Sequence, residues 1–195
     1  MIFNFTDNYQ FSTRLTLENE TLEVVKEAKL LGVIVSNDLK WQKNTEYIVK
    51  KAYRQMEILR IAASFGAPLE DKKLIYISYI RSVLEQSCHI WNSRLTEENI
   101  MDLERVQKSA VRIILNKPYE NYYEALDQID LESLADRREH LCLKLAKKMY
   151  IKRKEEKIKV NFAKTERYRH SSIPYMQRLM NELIFMLLLL LLLYQ

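Results

Sequence analysis

The pattern of apolar and polar positions changes once along the chain, near Trp41. Before that point, short β-prone runs alternate with turn-forming residues, which predicts strands at residues 1–6, 9–15, 22–25 and 30–35. The run at 30–35 is nearly all apolar, as is typical of a strand covered on both faces. Asn37 and Asp38 are then expected to turn the chain, and we predict no strand beyond them.

From Gln42 onward, apolar residues recur every three to four positions, which predicts amphipathic helices. The first helix ends near Gly66, and its apolar positions are Ile48, Ala52, Met56, Leu59 and Ala63. The second begins after Pro68, and its apolar stripe comprises Leu74, Ile77, Ile80, Leu84, Ser87 and Trp91. Each stripe defines a face that a neighbouring helix can cover.

A third helix is predicted after Thr96, whose side chain suits an N-cap, and it should stop at residues 116–118. Its apolar positions are Ile100, Leu103, Val106, Ala110 and Ile113 or Ile114. A short helix at 122–129 and a long one from 131 to 152 should follow, the latter packing through Leu134, Leu141, Leu145 and Met149.

Composition supports a helical chain with a core. The 195 residues are 48% hydrophobic and 29% charged, with 2 glycines and 3 prolines, which disfavours a loop-rich β-sandwich. We therefore predict a mainly α protein, a bundle of amphipathic helices with a small N-terminal β remnant (α+β). The predicted regions are 1–41, β-rich; 42–152, helical; 153–182, a basic segment; and 183–195, a Leu-rich hydrophobic tail.

Charge is distributed unevenly along the chain. Residues 137–178 hold 14 Lys and Arg against 4 Glu, whereas the remainder holds 17 basic and 22 acidic residues. A dense basic segment suits the phosphate backbone of RNA or DNA, because each neutralised phosphate releases counterions. A solvated linker around residues 152–157 is the alternative interpretation.

Helical spacing places several cations on shared faces. The candidate nucleic-acid-binding residues are Lys50, Arg54, Arg105, Lys108, Arg112, Arg137, Arg138, Lys144, Lys147 and Lys148. For any one of them, ordinary solubilisation of a helix is the simpler interpretation. As a set across several helices, they make contact with nucleic-acid backbones a competitive hypothesis.

The sequence offers no catalytic or metal-binding constellation. His89, His140 and His170 have no Cys, Asp or His at ligand spacing, and neither a phosphate-binding Gly-rich loop nor an HExxH motif occurs. Residues 5–8 (FTDN) carry Asn8 where paired metal-binding carboxylates would need an acid, so we interpret Asp7 and Asn8 as a hairpin turn. We predict no catalytic residues, no metal site and no cofactor.

The two cysteines, Cys88 and Cys142, lie inside helical patterns without metal-ligand spacing. Buried thiols in a reducing compartment are the favoured interpretation, and a disulfide or metal site is the less favoured one. The first six residues have neither a basic region nor an apolar core of a secretory signal, so we expect an intracellular location, cytoplasmic or nuclear.

Several segments resemble the region that follows the polymerase active site in reverse transcriptases of jockey-type non-LTR retrotransposons. The similar segments are 29–33 (KLLGV), 39–41 (LKW), 83–87 (VLEQS), Trp91, 103–108 (LERVQK), 122–126 (YYEAL), 137–143 (RREHLCL), 162–167 (FAKTER) and 171–179 (SSIPYMQRL). The resemblance extends over roughly residues 1–181 and is most specific in the middle third. Relative to that family, the chain is shorter between residues 149 and 160.

The resemblance implies that residues 1–41 correspond to the end of the palm and the helices to a thumb-like region, which in the family holds the template–primer duplex. The family's fingers, catalytic palm and Mg²⁺ site have no counterpart here. We therefore expect a non-catalytic fragment of an RNA-directed DNA polymerase, with sequence-independent binding to nucleic-acid backbones. A helical interaction module or degenerate product without binding is the first alternative.

The second alternative is a membrane-associated protein anchored by its tail. Residues 183–194 (LIFMLLLLLLLY) are uncharged, but as a helix they would span about 18 Å, against roughly 30 Å for a bilayer core. The preceding basic segment would suit an anionic membrane surface. Read-through into unrelated repetitive sequence is the interpretation that we favour.

Overall fold

The chain is mainly helical, with short strands near the N-terminus, as the sequence predicts. The computed structural model describes residues 2–3, 16–17, 20–21, 24–152, 175 and 178. The strands are β1 (Ile2–Phe3), β2 (Thr16–Leu17), β3 (Glu20–Thr21), β4 (Val24–Val25), β5 (Glu27–Leu30) and β6 (Val33–Ser36). The α-helices are α1 (Gln42–Ser64), α2 (Leu69–Ile75), α3 (Ser82–Glu85), α4 (Cys88–Trp91), α5 (Glu97–Leu115), α6 (Tyr122–Gln128) and α7 (Leu134–Lys152).

The strands form three separate pairs. β1 lies parallel to β4, whereas β2 with β3 and β5 with β6 are antiparallel. The predicted turn at Asp7 and Asn8, the predicted strand at 9–15, the basic segment from 153 onward apart from 175 and 178, and the Leu-rich tail lie outside the described residues. Within the described part, no helix is long and apolar enough to cross a membrane.

The predicted strand at 30–35 is wrong, because the chain reverses in its middle. Leu31 and Gly32 have φ angles of 47° and 85° and join β5 to β6, with Leu30 paired to Val33. Two positive φ angles are what a two-residue hairpin loop with the twist of β-strands requires, and glycine meets that need without strain. Leu31 is consequently 97% exposed instead of buried between two layers.

The β5–β6 hairpin packs against the helices. Asn44 in α1 accepts a hydrogen bond from the backbone N–H of Ile34 at 3.0 Å. At the turn, a Cβ added to Gly32 would lie 2.5 Å from Nε2 of Gln86, so the loop packs closely on the chain between α3 and α4. The hairpin therefore belongs to the same packed unit as the helices.

The core lies mainly between α1 and α5. On α1 the buried apolar residues are Ile48, Ala52, Met56 and Leu59, and on α5 they are Leu103, Val106, Ala110, Val111 and Ile114. These residues confirm most of both predicted stripes. Full burial of a Val, Leu, Ile or Met side chain contributes about 1.5–3 kcal/mol. The pairing of these two helix faces therefore stabilises the fold strongly.

The second predicted helix is interrupted twice. A π-helical segment, Tyr76–Arg81, follows α2, and the left-handed conformation of Ser87 (φ 53°) separates α3 from α4. The wider π turn changes which side chains face the core. Tyr76, instead of the predicted Leu74, is buried, and Leu74 is 62% exposed.

Local hydrogen bonds fix the ends of the later helices. Thr96 caps α5, as predicted, by accepting a hydrogen bond from the Asn99 N–H at 3.2 Å. Asn116 ends that helix in a left-handed conformation (φ 53°). α7 begins at Leu134 and not at residue 131, because the Ser133 hydroxyl accepts from the Asp136 N–H at 3.1 Å and thereby provides the cap.

Candidate nucleic-acid interface

Two of the candidate cations lie over tyrosine rings on the outer side of α5. Nζ of Lys108 is 4.9 Å from the ring centroid of Tyr122, and Cζ of Arg112 is 5.5 Å from that of Tyr119. The Tyr119 hydroxyl also donates to the backbone carbonyl of Lys108 at 3.1 Å. A cation–π contact stabilises by about 0.5–1 kcal/mol at an exposed site and leaves the positive charge available to an anion.

The tyrosines form a continuous group beside these cations. The ring centroids of Tyr119 and Tyr122 are 6.2 Å apart, and those of Tyr122 and Tyr123 are 5.6 Å apart. Asn121 caps α6 by accepting a hydrogen bond from the Tyr123 N–H at 3.0 Å. Tyr122 and Tyr123 therefore lie in the first turn of α6. We call Lys108, Arg112, Tyr119, Tyr122 and Tyr123 the tyrosine–cation face.

The rings of this face differ in how firmly they are held. The Tyr122 hydroxyl donates to Oε1 of Glu104 at 2.5 Å, and burial together with that carboxylate raises the pKa of Tyr122. Burial also raises the pKa of Tyr119. Tyr123, by contrast, is 70% exposed.

Most of the remaining candidate cations are exposed on α1 and α7. Lys50 and Arg54 lie one turn apart on α1, and Lys144, Lys147 and Lys148 lie on α7. Within the described residues, no carboxylate oxygen lies within 4.0 Å of a side-chain nitrogen of these five residues. The same is true of Lys108 and Arg112. Seven predicted cations are therefore not neutralised by a side-chain ion pair in that part of the chain.

A basic group around Tyr47 on α1 combines the predicted Arg54 with Lys29 and Lys51, which the sequence interpretation missed. Lys29 on β5 donates to the Tyr47 hydroxyl at 2.6 Å. This hydrogen bond lowers the pKa of Tyr47, and the charges of Lys51 and Arg54 act in the same direction. Only the pairing of the β5–β6 hairpin with α1 brings Lys29 here, since it lies 18 residues from Tyr47.

Two of the candidate arginines, Arg105 and Arg137, form ion pairs within the fold. Arg105 pairs with Asp102 one turn earlier on α5. Arg137 contacts Glu85 at 3.1 Å and Glu132 at 3.4 Å, so its charge is largely compensated within the fold. These ion pairs make Arg105 and Arg137 less available to a phosphate than their position on helix faces suggests.

Arg138 does not belong to the surface. It is fully buried, its Nε donates to Oδ1 of Asn92 at 2.9 Å, and its guanidinium lies 5.9 Å from the Trp91 ring. Burial lowers the pKa of Arg138. The helical spacing contained the signal, because Arg138 stands four residues from both Leu134 and Cys142 on the buried face of α7.

The two cysteines are buried free thiols, as predicted. Cys88 lies on α4 and Cys142 on α7, two helices that pack against each other. In the described part of the chain, no group of three or more His, Cys, Asp or Glu residues is arranged to hold a metal ion.

No model of a protein family, no curated protein and no solved structure matches this chain.

Proposed function

We propose that this chain is a non-catalytic nucleic-acid-binding protein, derived from the thumb-like region of a jockey-type retrotransposon reverse transcriptase. It contacts the sugar–phosphate backbone of RNA or DNA without reading its sequence. The observation that carries this proposal is the tyrosine–cation face, on which Lys108 and Arg112 are held by aromatic rings and not by carboxylates. Such a protein would act in the cytoplasm or the nucleus.

The physical basis is electrostatic. A cation that already forms an ion pair gains little from a phosphate, because it must first lose its carboxylate partner. Lys108 and Arg112 avoid that loss, and so do Lys144, Lys147 and Lys148 on α7. Each phosphate that they neutralise releases condensed counterions, so binding should weaken steeply as salt rises.

The exposed ring of Tyr123 adds a contact that does not depend on charge. It lies next to Tyr122, whose ring is contacted by Lys108. An exposed aromatic ring beside cations is a common arrangement in proteins that bind single strands, since any base can stack on it. Neither the phosphate contacts of the cations nor stacking on Tyr123 distinguishes one base from another. The proposed binding is therefore independent of sequence.

Polymerase activity is not part of this proposal. Nucleotidyl transfer by two metal ions requires paired carboxylates, and the nearest sequence to the family's catalytic turn carries Asn8 in the second acidic position. Primer extension on a homopolymer template with Mg²⁺ or Mn²⁺ should give no product. Incorporation that follows the purified protein through its chromatography would contradict this part of the proposal.

The test of binding is the salt dependence of affinity for fluorescent duplex and single-stranded oligonucleotides. The log of affinity should fall by about 0.9 per log unit of salt for each duplex phosphate neutralised. The double substitution Lys108→Ala with Arg112→Ala should lower affinity. It should also make that slope shallower by about 1.8, the amount expected for the loss of two phosphate contacts.

The matched control is the double substitution Lys43→Ala with Arg60→Ala. It removes the same net charge from α1, but both residues already pair with carboxylates, Glu27 and Glu57. The control should keep nearly the parental slope. Equal losses in the two variants would mean that net charge alone is responsible, and salt-independent or absent binding would favour the interaction-module hypothesis.

A further inference from the structure

One side of α1 exposes a row of apolar side chains. Ile58, Ile61 and Phe65 are 43%, 49% and 86% exposed, and separations of three and four residues place them on one face of the helix. This face is turned away from the core, to which α1 contributes Ala52 and Leu59. Single exposed apolar residues are ordinary, whereas a contiguous row of them marks an interaction site.

Cations continue the row toward the N-terminus of α1. Arg54 stands four residues before Ile58 and in line with it, and Lys50 and Lys51 lie one turn earlier. In the described part of the chain, no carboxylate oxygen lies within 4.0 Å of a side-chain nitrogen of these three cations. We define the α1 stripe as Lys50, Lys51, Arg54, Ile58, Ile61 and Phe65.

Carboxylates lie just beyond the opposite end of the stripe. Glu70 and Asp71 are exposed in the first turn of α2, five and six residues after Phe65. Among the described residues, no cationic nitrogen lies within 4.0 Å of either carboxylate. This surface therefore carries positive charge at one end, apolar side chains in the middle and negative charge at the other end.

We propose that the α1 stripe is the contact surface of a homodimer, in which the α1 helices of two copies of this chain lie antiparallel. The two-fold axis passes midway between Ile58 and Ile61. Ile58 of one protomer then packs on the partner's Ile61, and the guanidinium of Arg54 lies against the ring of the partner's Phe65. Each contact occurs twice, as a two-fold axis requires.

Charge complementarity selects a second copy as the occupant and fixes its orientation. A parallel pair would place Lys50 and Arg54 against the same cations of the partner, and like charges in contact oppose association. The antiparallel pair instead brings the cationic end of one α1 stripe to the partner's Glu70 and Asp71. The alternation of three and four residues along the stripe is also the spacing at which two helices pack along a common seam.

The proposed dimer does not depend on nucleic-acid binding. The tyrosine–cation face comprises residues of α5, α6 and the segment between them, and the lysines at 144, 147 and 148 lie on α7, so none of these residues belongs to the α1 stripe. Of the candidate nucleic-acid-binding residues, Lys50 and Arg54 are assigned to the dimer contact. Failure of either proposal therefore leaves the other standing.

Sedimentation velocity of the full chain over a range of concentrations measures the association. The natural sequence should show a reversible monomer–dimer equilibrium. Ile61→Lys should raise its dissociation constant by about tenfold or more, because it buries a charge against an apolar side chain.

Met101→Lys is the matched control, since Met101 is 51% exposed on α5 and lies outside the stripe. It adds the same charge and should leave the dissociation constant unchanged. A natural sequence that stays monomeric at every concentration, or equal effects of Ile61→Lys and Met101→Lys, would overturn the proposal.

A charge swap tests the antiparallel orientation. The first variant combines Lys50→Glu with Lys51→Glu, and the second combines Glu70→Lys with Asp71→Lys. Each variant alone places like charges opposite one another and should weaken the dimer by about tenfold or more. An equimolar mixture should restore association, because opposite charges then meet at both ends of the heterodimer.

Circular dichroism checks that each charge variant keeps its helices, and restored association in the mixture shows independently that both are folded. A mixture that associates no more tightly than its folded components would overturn the antiparallel dimer. If either charge variant does not fold, the comparison of Ile61→Lys with Met101→Lys still decides whether the α1 stripe is the contact surface.

Discussion

The Tyr76 hydroxyl donates a hydrogen bond to Oε1 of Gln107 at 2.6 Å inside the core. This contact joins the π-helical segment Tyr76–Arg81 to α5, and both residues are fully buried. Gln107 continues the connection, because its Nε2 donates to the backbone carbonyl of Glu132 at 2.8 Å, just before α7. A single polar chain thus links three parts of the bundle.

We expect Tyr76→Phe to destabilise the protein by about 1–3 kcal/mol, because it leaves Oε1 of Gln107 buried without a donor. Urea denaturation followed by circular dichroism measures the loss as a lower midpoint with an unchanged slope. Tyr79→Phe is the control, since Tyr79 lies in the same π segment but is 51% exposed. Equal midpoints for Tyr76→Phe and the parent would show that the contact contributes nothing net.

The sequence predicted those parts of the fold that local chemistry determines. The apolar stripes of α1 and α5, the N-cap at Thr96 and the stop at Asn116 all depend on residues within a few positions of one another. The π-helical segment was missed, because apolar spacing does not reveal a wider turn inside a continuous helical pattern. The Leu31–Gly32 turn was missed because its apolar neighbours outweighed the glycine signal.

The candidate site depends more on tertiary structure, and the sequence predicted less of it. Helix periodicity gathered Lys108 with Arg112, but the rings that contact them come from Tyr119 and Tyr122, beyond the end of α5. Arg138 was predicted to be a surface cation because its side chain is charged. Its spacing of four residues from Leu134 instead places it on the buried face of α7. Charge identifies residues that can bind phosphate, whereas only packing decides which of them reach the surface.

Stability should fall at alkaline pH because of the buried Tyr76 and the half-buried Tyr122. Burial raises the pKa of Tyr76 and of Tyr122 above the ordinary value of 10.0. The unfolded chain therefore loses these protons first, so their stabilising contribution is complete below pH 10 and decreases as pH rises above it. Urea midpoints measured from pH 8 to 11 should decline toward the alkaline end.

Tyr122→Phe should reduce the steepness of that alkaline decline, whereas Tyr123→Phe should not, because Tyr123 is exposed. The comparison concerns the pH slope and not the absolute midpoint, which Tyr122→Phe also changes by removing the hydrogen bond to Glu104. An identical slope in the Tyr122 variant and the parent would contradict the assignment of the alkaline transition to this residue.

Removal of the exposed ring of Tyr123 should affect single strands more than duplexes. Stacking of a base on an aromatic side chain contributes about 1–3 kcal/mol, so Tyr123→Ala should weaken single-strand binding by roughly fivefold or more. Duplex affinity should change little, because paired bases are not free to stack. Tyr79→Ala, another exposed tyrosine, serves as the control in fluorescence anisotropy titrations. Equal losses for single strand and duplex would mean that the ring does not receive a base.

The last prediction separates surface cations from the buried one. Reversal of Lys144, Lys147 and Lys148 to Glu should abolish much of the nucleic-acid affinity while the free energy of unfolding changes by only about 0.5 kcal/mol per site, since these side chains are exposed.

Arg138→Glu should instead destabilise the fold by about 3–5 kcal/mol, because it removes the hydrogen bond to Asn92 and buries a carboxylate near Glu104. Denaturation and binding measured on both variants provide the test. If the Arg138→Glu protein were stable but had lost its affinity, Arg138 would belong to the binding surface, and its burial in the core would be contradicted. A stable triple-Glu variant with unchanged affinity would exclude α7 from the interface and leave the tyrosine–cation face to carry the binding alone.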